Sequence, residues 1–272
     1  MTDNIEDAAA AVRGGADTLH RNPVLRALAR GGYAVNGLIH LLIGAIAISV
    51  AFGADGEADQ GGALAEIARH PFGFVVLWIL VVGLAALGLF QLVEAAVIRG
   101  TDKDDWADRG KEAAKGVAYL AIGGSAATYA LGGSSDSSAQ SQDLSATLLG
   151  TPGGIVLLVI VGLVAAAVGV YFVVKGARKK FLEDLSLPGR TWRRIATVLG
   201  VGGYVAKGIA IFVVGVLFLI AAATTDPSSA TGLDGALKSL AALPAGVVVL
   251  NLVGVGLIAY GVYCFVRARF RA

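Results

Sequence analysis

A three-fold internal repetition constrains this chain more than any other feature of its sequence. Each copy has a polar residue, a glycine directly after it and a second glycine seven residues further on, and each opens a long apolar segment. The copies are Asn36-Gly37 with Gly44, Lys115-Gly116 with Gly123, and Lys207-Gly208 with Gly215. A pattern that returns at a regular interval indicates tandem copies of one structural unit.

A second apolar segment follows each pattern about 35 residues later, and in every copy it opens with Pro-x-Gly. The seventeenth residue after that proline is a glycine, the nineteenth is aromatic and the twenty-third is charged. These positions are Pro71, Gly88, Phe90 and Glu94, then Pro152, Gly169, Tyr171 and Lys175, then Pro244, Gly261, Tyr263 and Arg267. A leucine lies seven residues before the proline at Leu64 and Leu237, and one place off at Leu144. Agreement at so many offsets predicts three tandem two-helix hairpins.

The apolar segments have the composition of membrane helices. Hydrophobic residues make up 56% of the 272 residues and charged residues only 15%, against roughly 25% charged in soluble domains. The runs are continuous, whereas the strands of a membrane barrel alternate apolar and polar residues. Helices also satisfy their own backbone hydrogen bonds, which lipid requires. These features predict an all-α integral membrane protein.

The repeats divide the chain into a tail and three hairpins. We predict a cytosolic tail over 1–25 and repeats over 26–99, 100–182 and 183–272. The six predicted transmembrane helices are 33–52, 72–98, 113–131, 153–175, 198–223 and 245–266. The segments read as loops within the hairpins are 53–70, 132–151 and 224–243. The span 113–131 is the least apolar and depends on the repeat pattern. Three equivalent hairpins predict a pseudo-threefold arrangement.

The distribution of basic residues predicts the orientation. Four Lys and Arg precede the first span, five lie in the second-to-third loop, seven in the fourth-to-fifth loop and three at the C-terminus. The opposite loops hold only Arg69 and Lys238. By the positive-inside rule this predicts a multi-pass cell-membrane protein with both termini in the cytosol. Residues 1–20 do not read as a signal peptide, because they are acidic and lack an apolar core.

Polar residues inside the predicted spans are candidates for a binding site. Asn36, Lys115 and Lys207 occupy one position of the repeat and are expected at one depth near the cytosolic side. Two lysines and an amide suit an anionic lipid head group, a phosphate or a carboxylate. The alternative is that each lysine extends its ammonium to the membrane surface. Glu94 is a candidate ion-pair partner for Lys115 or Lys207, and His40 is expected to hydrogen-bond across helices near Asn36.

The repeated glycines are expected to pack helices together. Glycines two turns apart share one helix face and let two helix backbones approach closely in lipid. The predicted packing residues are Gly37, Gly44, Gly88, Gly116, Gly123, Gly169, Gly208, Gly215 and Gly261. The alternative is that these glycines widen a pore or bend a helix during gating.

Several classes of chemistry find no support in the sequence. The single cysteine, Cys264, excludes an intrachain disulfide and a cysteine metal site. The histidines do not cluster by repeat, so we predict no metal site. We found no nucleophile motif, phosphate loop or dinucleotide fingerprint. We therefore expect no catalytic residues, no cofactor and no enzyme activity. A net charge of +2 gives no reason to expect nucleic-acid binding.

The whole pattern resembles a known family. Gly-Ala-Leu, then Pro-x-Gly, then a glycine-rich apolar helix that ends in an aromatic residue and a basic cluster, repeated three times, resembles the bacterial membrane family called domain of unknown function 1206. The resemblance covers about 25 to 271. The second copy departs most, with Leu144-Ser145 in place of Ala-Leu and a basic residue near the place of Tyr33 and Tyr204. The family implies a topology but no established activity.

Two functions remain open at this point. The first is a non-enzymatic membrane protein that binds or passes a small solute or lipid, with anionic lipid or a small anion as ligand. The second is a structural or accessory subunit that packs against another membrane protein, or against a copy of itself, through its glycine-rich faces. The second predicts an exposed groove of small residues and no central polar cavity. An enzyme ranks third, because no catalytic set is visible.

Overall fold

The chain folds into helices joined by short loops. The computed structural model describes residues 23–98, 102–183 and 185–270, and within these ranges there are nine α-helices, two short 3₁₀ turns and no β-sheet. Most of the predicted tail 1–25 lies outside the described residues, as do Arg13, Arg21, Arg99 and Arg271, which contribute to the predicted orientation. The all-α prediction is confirmed.

The helices alternate between long and short in every repeat. In chain order they are α1 (Pro23–Ala51), α2 (Gln60–Arg69), α3 (Gly73–Val97), α4 (Lys103–Ala130), α5 (Ser137–Leu149), α6 (Gly154–Ala177), α7 (Gly189–Thr224), α8 (Gly232–Ala241) and α9 (Gly246–Phe270). Each repeat therefore has a long helix, a short helix and a second long helix.

Five of the long helices have the length and composition to cross a membrane. The qualifying segments are Arg30–Ala51, Gly73–Ala96, Gly154–Ala177, Gly189–Thr224 and Gly246–Phe270. Helix α4 is long enough at 28 residues, but charged residues fill its first half and alanine, glycine and hydroxyl-bearing residues much of its second half. The sixth predicted span, 113–131, therefore stays a prediction.

The prediction of loops between the spans was wrong in all three hairpins. Helices α2, α5 and α8 occupy half or more of 53–70, 132–151 and 224–243. Two of them begin at capping aspartates: Asp59 accepts a hydrogen bond from Gly62 N (2.9 Å), and Asp136 accepts from Ser138 N and Ala139 N (both 2.9 Å). A capping carboxylate satisfies amides at the start of a helix that would otherwise lack acceptors. Each short helix ends just before the Pro-x-Gly that starts the next long helix.

The long helices pair between repeats. The second long helix of one repeat packs along the first long helix of the next: α3 on α4, α6 on α7, and α9 back on α1. Helices α7 and α9 of the third repeat also pack closely, whereas α1 and α3 of the first repeat touch at few positions. The long helices are therefore held together mainly by contacts between different repeats, and less by contacts within one repeat.

Facing glycines lie at each of these three pairings. A Cβ atom added to the first glycine of a pair would lie 2.6–3.0 Å from the carbonyl oxygen of the second. The pairs are Gly37 with Gly261 (2.8 Å), Gly116 with Gly88 (3.0 Å) and Gly208 with Gly169 (2.6 Å). Because backbone faces backbone at this distance, any side chain here would force the helices apart.

A second level of glycine contacts is present in two of the three pairings. A Cβ on Gly44 would lie 2.6 Å from the Gly254 carbonyl oxygen, and one on Gly215 would lie 2.7 Å from that of Gly162. In the remaining pairing Gly123 has Leu84 Cβ as its nearest neighbour, at 3.3 Å. Gly162 and Gly254 were missed because the first repeat has Val81 at this position, ten residues after the proline.

The short helices share one buried position, which corrects the sequence alignment of the second repeat. Leu64, Ser145 and Leu237 lie seven residues before the three prolines, and all three are at most 1% exposed. Leu144, the leucine one place off in the second copy, is 68% exposed. A serine therefore occupies a core position that is leucine in the other two repeats, and its buried Oγ has no hydrogen-bond partner among the described residues.

We predict that Ser145→Ala stabilises the protein by about 1 kcal/mol, because an unpaired buried hydroxyl costs roughly 1–3 kcal/mol. Thermal unfolding of the purified protein in detergent measures this change. Ser125→Ala is the matched control, since the Ser125 hydroxyl is exposed and donates to the Ala121 carbonyl oxygen. Equal effects of the two substitutions would contradict the assignment of Ser145 to the core.

We predict that Gly208→Ala destabilises the protein by about 1–3 kcal/mol or more, as overpacking does in tightly packed cores. Gly202→Ala on the same helix is the control. A Cβ there meets nothing within 4 Å, so it should be neutral or stabilise by up to about 1 kcal/mol through reduced backbone entropy. The two variants are compared by thermal unfolding, and a tolerated Gly208→Ala would show that the close crossing is not needed.

Candidate functional site

Three of the five predicted site residues lie together against helix α9. The Asn36 side-chain amide on α1 donates to Cys264 Sγ (3.3 Å). His40, one turn further along α1, donates from Nδ1 to the Asn36 carbonyl oxygen (2.8 Å), and its ring lies 4.8 Å from that of Tyr260. Lys207 on α7 donates from Nζ to Tyr260 Oη (3.5 Å). Tyr260 therefore connects the two parts of the cluster.

Lys207 lies between two aromatic rings. Its Nζ is 4.5 Å from the centre of the Tyr260 ring on α9 and 5.3 Å from that of Phe172 on α6. Cation–π attraction of this kind stabilises an ammonium where water is scarce. Lys207 is partly buried and lies at the middle of the 36-residue α7. Across residues 23–98, 102–183 and 185–270, no carboxylate lies within ion-pair distance of its Nζ.

Further buried aromatic residues pack around Tyr260 and Tyr204, next to Lys207. Tyr204, one turn before Lys207, packs edge-on against Tyr260 with ring centres 5.2 Å apart. Phe181 stacks on Tyr204 (5.2 Å) and meets Tyr263 edge-on (5.3 Å). The Tyr263 hydroxyl donates to the Phe181 carbonyl oxygen (3.2 Å). These contacts hold the Tyr260 and Tyr204 rings in place around Lys207.

Two further cations lie at the edge of the cluster. The Arg267 guanidinium is 4.6 Å from the Tyr33 ring centre, and its Nη1 donates to Tyr204 Oη (3.3 Å). Lys175 Nζ is 5.6 Å from the Tyr204 ring centre. Arg267 and Lys175 occupy equivalent positions, twenty-three residues after their prolines. Each of them contacts a tyrosine that lies three residues before a repeated polar residue. Arg267 contacts Tyr33, which precedes Asn36, and Lys175 contacts Tyr204, which precedes Lys207.

The two other predicted site residues lie apart from this cluster. Lys115 forms an ion pair with Glu112 (2.5 Å), and Glu112 also accepts a hydrogen bond from the Gln91 side chain (2.6 Å). Glu94 is exposed on α3. The prediction that Glu94 pairs with Lys115 or Lys207 was therefore wrong: Lys115 pairs with Glu112, and no described carboxylate lies within ion-pair distance of Lys207. The carboxylate one helical turn away is nearer than one from another helix.

Glu112 also corrects the comparison of the second repeat with the others. It lies three residues before Lys115, as Tyr33 lies before Asn36 and Tyr204 before Lys207. The place of the two tyrosines is thus taken by an acidic residue and not by a basic one. The second repeat therefore neutralises its lysine internally, whereas the third surrounds its lysine with aromatic rings.

The aromatic residues around Lys207 were missed by the sequence analysis. Tyr260 corresponds to Leu87 in the first repeat and Val168 in the second, so a search for positions alike in all copies passes over it. Phe172 was missed for the same reason. The available signal was the clustering of aromatic residues at the two helix ends that flank Lys207.

The described residues contain no group of three or more His, Cys, Asp or Glu side chains arranged to hold a metal ion. Cys264 is a buried free thiol close to Asn36 and Tyr260. The polar groups of this cluster are therefore one cation and two hydrogen-bond donors: the Lys207 ammonium, the Tyr260 hydroxyl and the His40 ring.

Comparison with known proteins gives a family and one curated relative. The sequence profile of the Domain of Unknown Function (DUF1206) family matches residues 31–97, 111–179 and 202–271. The chain is 29% identical to the "Uncharacterized protein YxxB" of Bacillus subtilis (strain 168) over 259 residues, which cover 92% of both proteins. No solved structure matches the chain. The three profile matches cover most of the sequence and coincide with the three repeats, so this protein belongs to the DUF1206 family.

Proposed function

We propose that this protein is a multi-pass membrane protein that binds a small anionic group at Lys207, without catalysing a reaction. The group is a phosphate or carboxylate, carried by a lipid head group or by a free solute. The observation that carries the proposal is the environment of Lys207, an ammonium at the middle of an apolar helix with aromatic rings on two sides and no carboxylate partner among the described residues.

The energetics of Lys207 favour a bound anion. Placing a lysine at the centre of a membrane helix costs about 2.5–3.5 kcal/mol on insertion scales and more in simulations. A cation–π contact returns about 0.5–2 kcal/mol. The two rings therefore offset part of the cost, and an anion that accepts hydrogen bonds from the ammonium offsets the rest. Membrane proteins commonly use such intramembrane charges for ligand binding.

The neighbouring groups supply further donors for an anion. Tyr260 Oη accepts a hydrogen bond from Lys207 and is also hydrogen-bonded to the Cys264 side chain. A phosphate or carboxylate oxygen is a stronger acceptor than a thiol, so an anion would take the Tyr260 hydrogen in its place. His40 Nδ1 carries a hydrogen, because the Asn36 carbonyl that it contacts can only accept. Tyr260 and Lys207 thus form a two-donor set that suits one phosphate or carboxylate oxygen, with His40 fixing the position of the Tyr260 ring.

The same proposal includes six spans in a pseudo-threefold arrangement. Helix α4 packs along α3 as α7 packs along α6 and α1 along α9, so it occupies the place of a membrane helix in its repeat. Six spans put both termini on one side, and the excess of Lys and Arg in the connecting segments favours the cytosol for that side.

The alternative of an accessory subunit has less support. It requires glycine-rich faces that are open to another protein. Each of the nine glycines predicted to pack helices instead has atoms of another helix of this chain within 4 Å of an added Cβ. Those glycine faces are used within the molecule, so a protein partner or a second copy would have to bind elsewhere.

We predict that Lys207→Met weakens binding of an anionic group on the order of 10- to 100-fold, since hydrogen bonds to charged groups contribute about 1.5–3 kcal/mol. Native mass spectrometry of the full chain compares phosphatidylglycerol with phosphatidylcholine, and a separate thermal-shift titration uses inorganic phosphate. Retention of phosphatidylglycerol alone identifies a lipid head group, and a shift with phosphate identifies a free anion.

Lys115→Met is the matched control for this experiment. It removes the lysine at the equivalent position of the second repeat, where Glu112 already neutralises it. Binding should stay close to that of the wild-type protein. Equal binding by the wild-type protein and Lys207→Met would refute the proposed site.

We predict that Tyr260→Phe reduces the same binding several-fold, less than Lys207→Met does. The substitution keeps the ring that faces Lys207 and removes only the hydroxyl, which is a neutral donor of about 0.5–1.5 kcal/mol. Tyr171→Phe is the control, because Tyr171 is 58% exposed on α6. If Tyr260→Phe binds as tightly as the wild-type protein, the hydroxyl does not contact the ligand.

A further inference from the structure

The three short helices meet at the end of the bundle where α1 ends and α3 begins. Helix α5 of the second repeat reaches the third, because the Ser138 hydroxyl donates to the Thr231 carbonyl oxygen (2.8 Å) at the start of α8. The first repeat reaches the third through Ala58 N, which donates to Asp234 Oδ1 (2.8 Å). The first repeat contacts the second repeat at Gly61, where an added Cβ would lie 2.9 Å from Ser137 Oγ. We call this contact among all three repeats the short-helix junction.

Acidic side chains are concentrated at the short-helix junction. Glu57, Asp59, Asp136 and Asp234 come from all three repeats and influence one another electrostatically. The basic side chain among them is Lys238, whose Nζ lies 2.7 Å from Asp234 Oδ2. Asp234 is therefore satisfied at both oxygens, by Lys238 and by the Ala58 amide. The positive charge nearest the junction is already engaged.

Asp59 is the group that this arrangement leaves unsatisfied. It is 2% exposed, and its Oδ1 accepts the capping hydrogen bond from Gly62 N. Its Oδ2 is fully buried and has no hydrogen-bond partner in the part of the chain that the structure describes. A buried, unpaired carboxylate oxygen is costly, and the cost falls sharply when the group is neutral. Asp234 lies close enough to repel a second negative charge.

The titration behaviour agrees with this geometry. Burial raises the pKa of Asp59 above its ordinary value of 3.8, and the charge of Asp234 adds to the effect, while the donor groups of Gly62, Ser137 and Gly61 near Oδ1 oppose it. Burial also raises the pKa of Glu57, with Asp59, Asp136 and Asp234 contributing and Lys238 opposing. A junction with this charge balance binds protons more tightly than separate surface carboxylates do.

We propose that Asp59 is a proton-binding site that holds the three repeats together at the short-helix junction. With its proton bound, the side chain is a neutral acid that caps α2 and lies beside Asp234 without repulsion. Loss of the proton places a second charge beside Asp234 and Glu57 and loosens the contact of α2 with α5 and α8. This site is separate from Lys207 and does not depend on the anion-binding proposal.

The sign of the pH dependence follows from the direction of the shift. Because the folded state binds the Asp59 proton more tightly than the unfolded chain does, the stabilisation is complete below the ordinary pKa of 3.8. It is lost as the pH rises through the higher pKa of the folded state. Stability should therefore fall as the medium changes from acidic to neutral, which is opposite to the behaviour of an aspartate held by a salt bridge.

Asp59→Asn tests the site, because asparagine has the same shape, is permanently neutral and is also a good helix cap. The full chain in detergent is unfolded thermally between about pH 4 and pH 8, a range that spans ordinary and raised carboxyl pKa values. The wild-type melting temperature should fall across this range by about 3–5 °C for each unit of pKa shift, the change expected for a chain of about this size. Asp59→Asn should lose most of that slope and exceed the wild-type protein at neutral pH.

Asp136→Asn is the matched control, because Asp136 caps the sister helix α5 but is exposed. It should keep the wild-type slope. Lys207→Met should keep it as well, which separates this proposal from the anion site. An Asp59→Asn protein with the same pH slope as the wild type would overturn the proposal.

Infrared difference spectra of the wild-type protein provide a test that does not require the variant to fold. A carboxylic acid carbonyl band should disappear on titration at a higher pH than the band of an ordinary aspartate does. The Glu57→Gln variant should show the same band and the same titration. Absence of that band overturns the proposal. So does stabilisation at neutral pH by Na⁺ or Ca²⁺, but not by choline at equal ionic strength, that is lost in Asp59→Asn, since Oδ2 would then be a cation ligand.

Discussion

The contact of backbone on backbone at the facing glycines is the interaction on which the rest of this structure depends. In lipid, two helices gain little by hiding apolar side chains from each other, so close packing and weak Cα–H···O contacts must hold them together. The glycine crossings provide this in each of the three pairings. They also fix the residue just before the first glycine against the neighbouring helix. Asn36 is thereby placed on Cys264, and Lys207 on Phe172.

The same geometry carries different chemistry in each repeat. At the first crossing an amide meets a thiol, and at the second Lys115 is neutralised by Glu112, one turn away on its own helix. At the third, Lys207 faces rings that lower the cost of its charge without cancelling it. A common backbone therefore contains two internally satisfied positions and one that is electrostatically incomplete. The proposed binding site therefore lies where the third repeat differs from the other two, because there a ligand would supply the missing negative charge.

Sequence periodicity reached those parts of the fold that all copies share. The helical class, the hairpin repeat and the glycines at the crossings depend on features present three times, such as Gly37, Gly116 and Gly208. Residues that differ between the copies could not be predicted from the repeat pattern. Tyr260 and Phe172 come from different helices and have aliphatic or polar counterparts, so only the fold brings them to Lys207. The short helices were read as loops because segments of 10 to 13 residues rich in small and polar side chains resemble loops in composition. The capping aspartates of α2 and α5 were visible but not used.

Asp59 and Lys207 are incompletely satisfied groups of opposite charge, and their burial is compensated in different ways. Burial and the neighbouring Asp234 charge raise the pKa of Asp59, so this carboxyl group can lose its charge by binding a proton. The Tyr260 and Phe172 rings act in the opposite sense on Lys207, because cation–π attraction favours the charged ammonium. We therefore expect Asp59 to bind a proton and Lys207 to bind an anion. The two rings that lower the cost of burying Lys207 therefore also favour the charged form to which the proposed anion would bind.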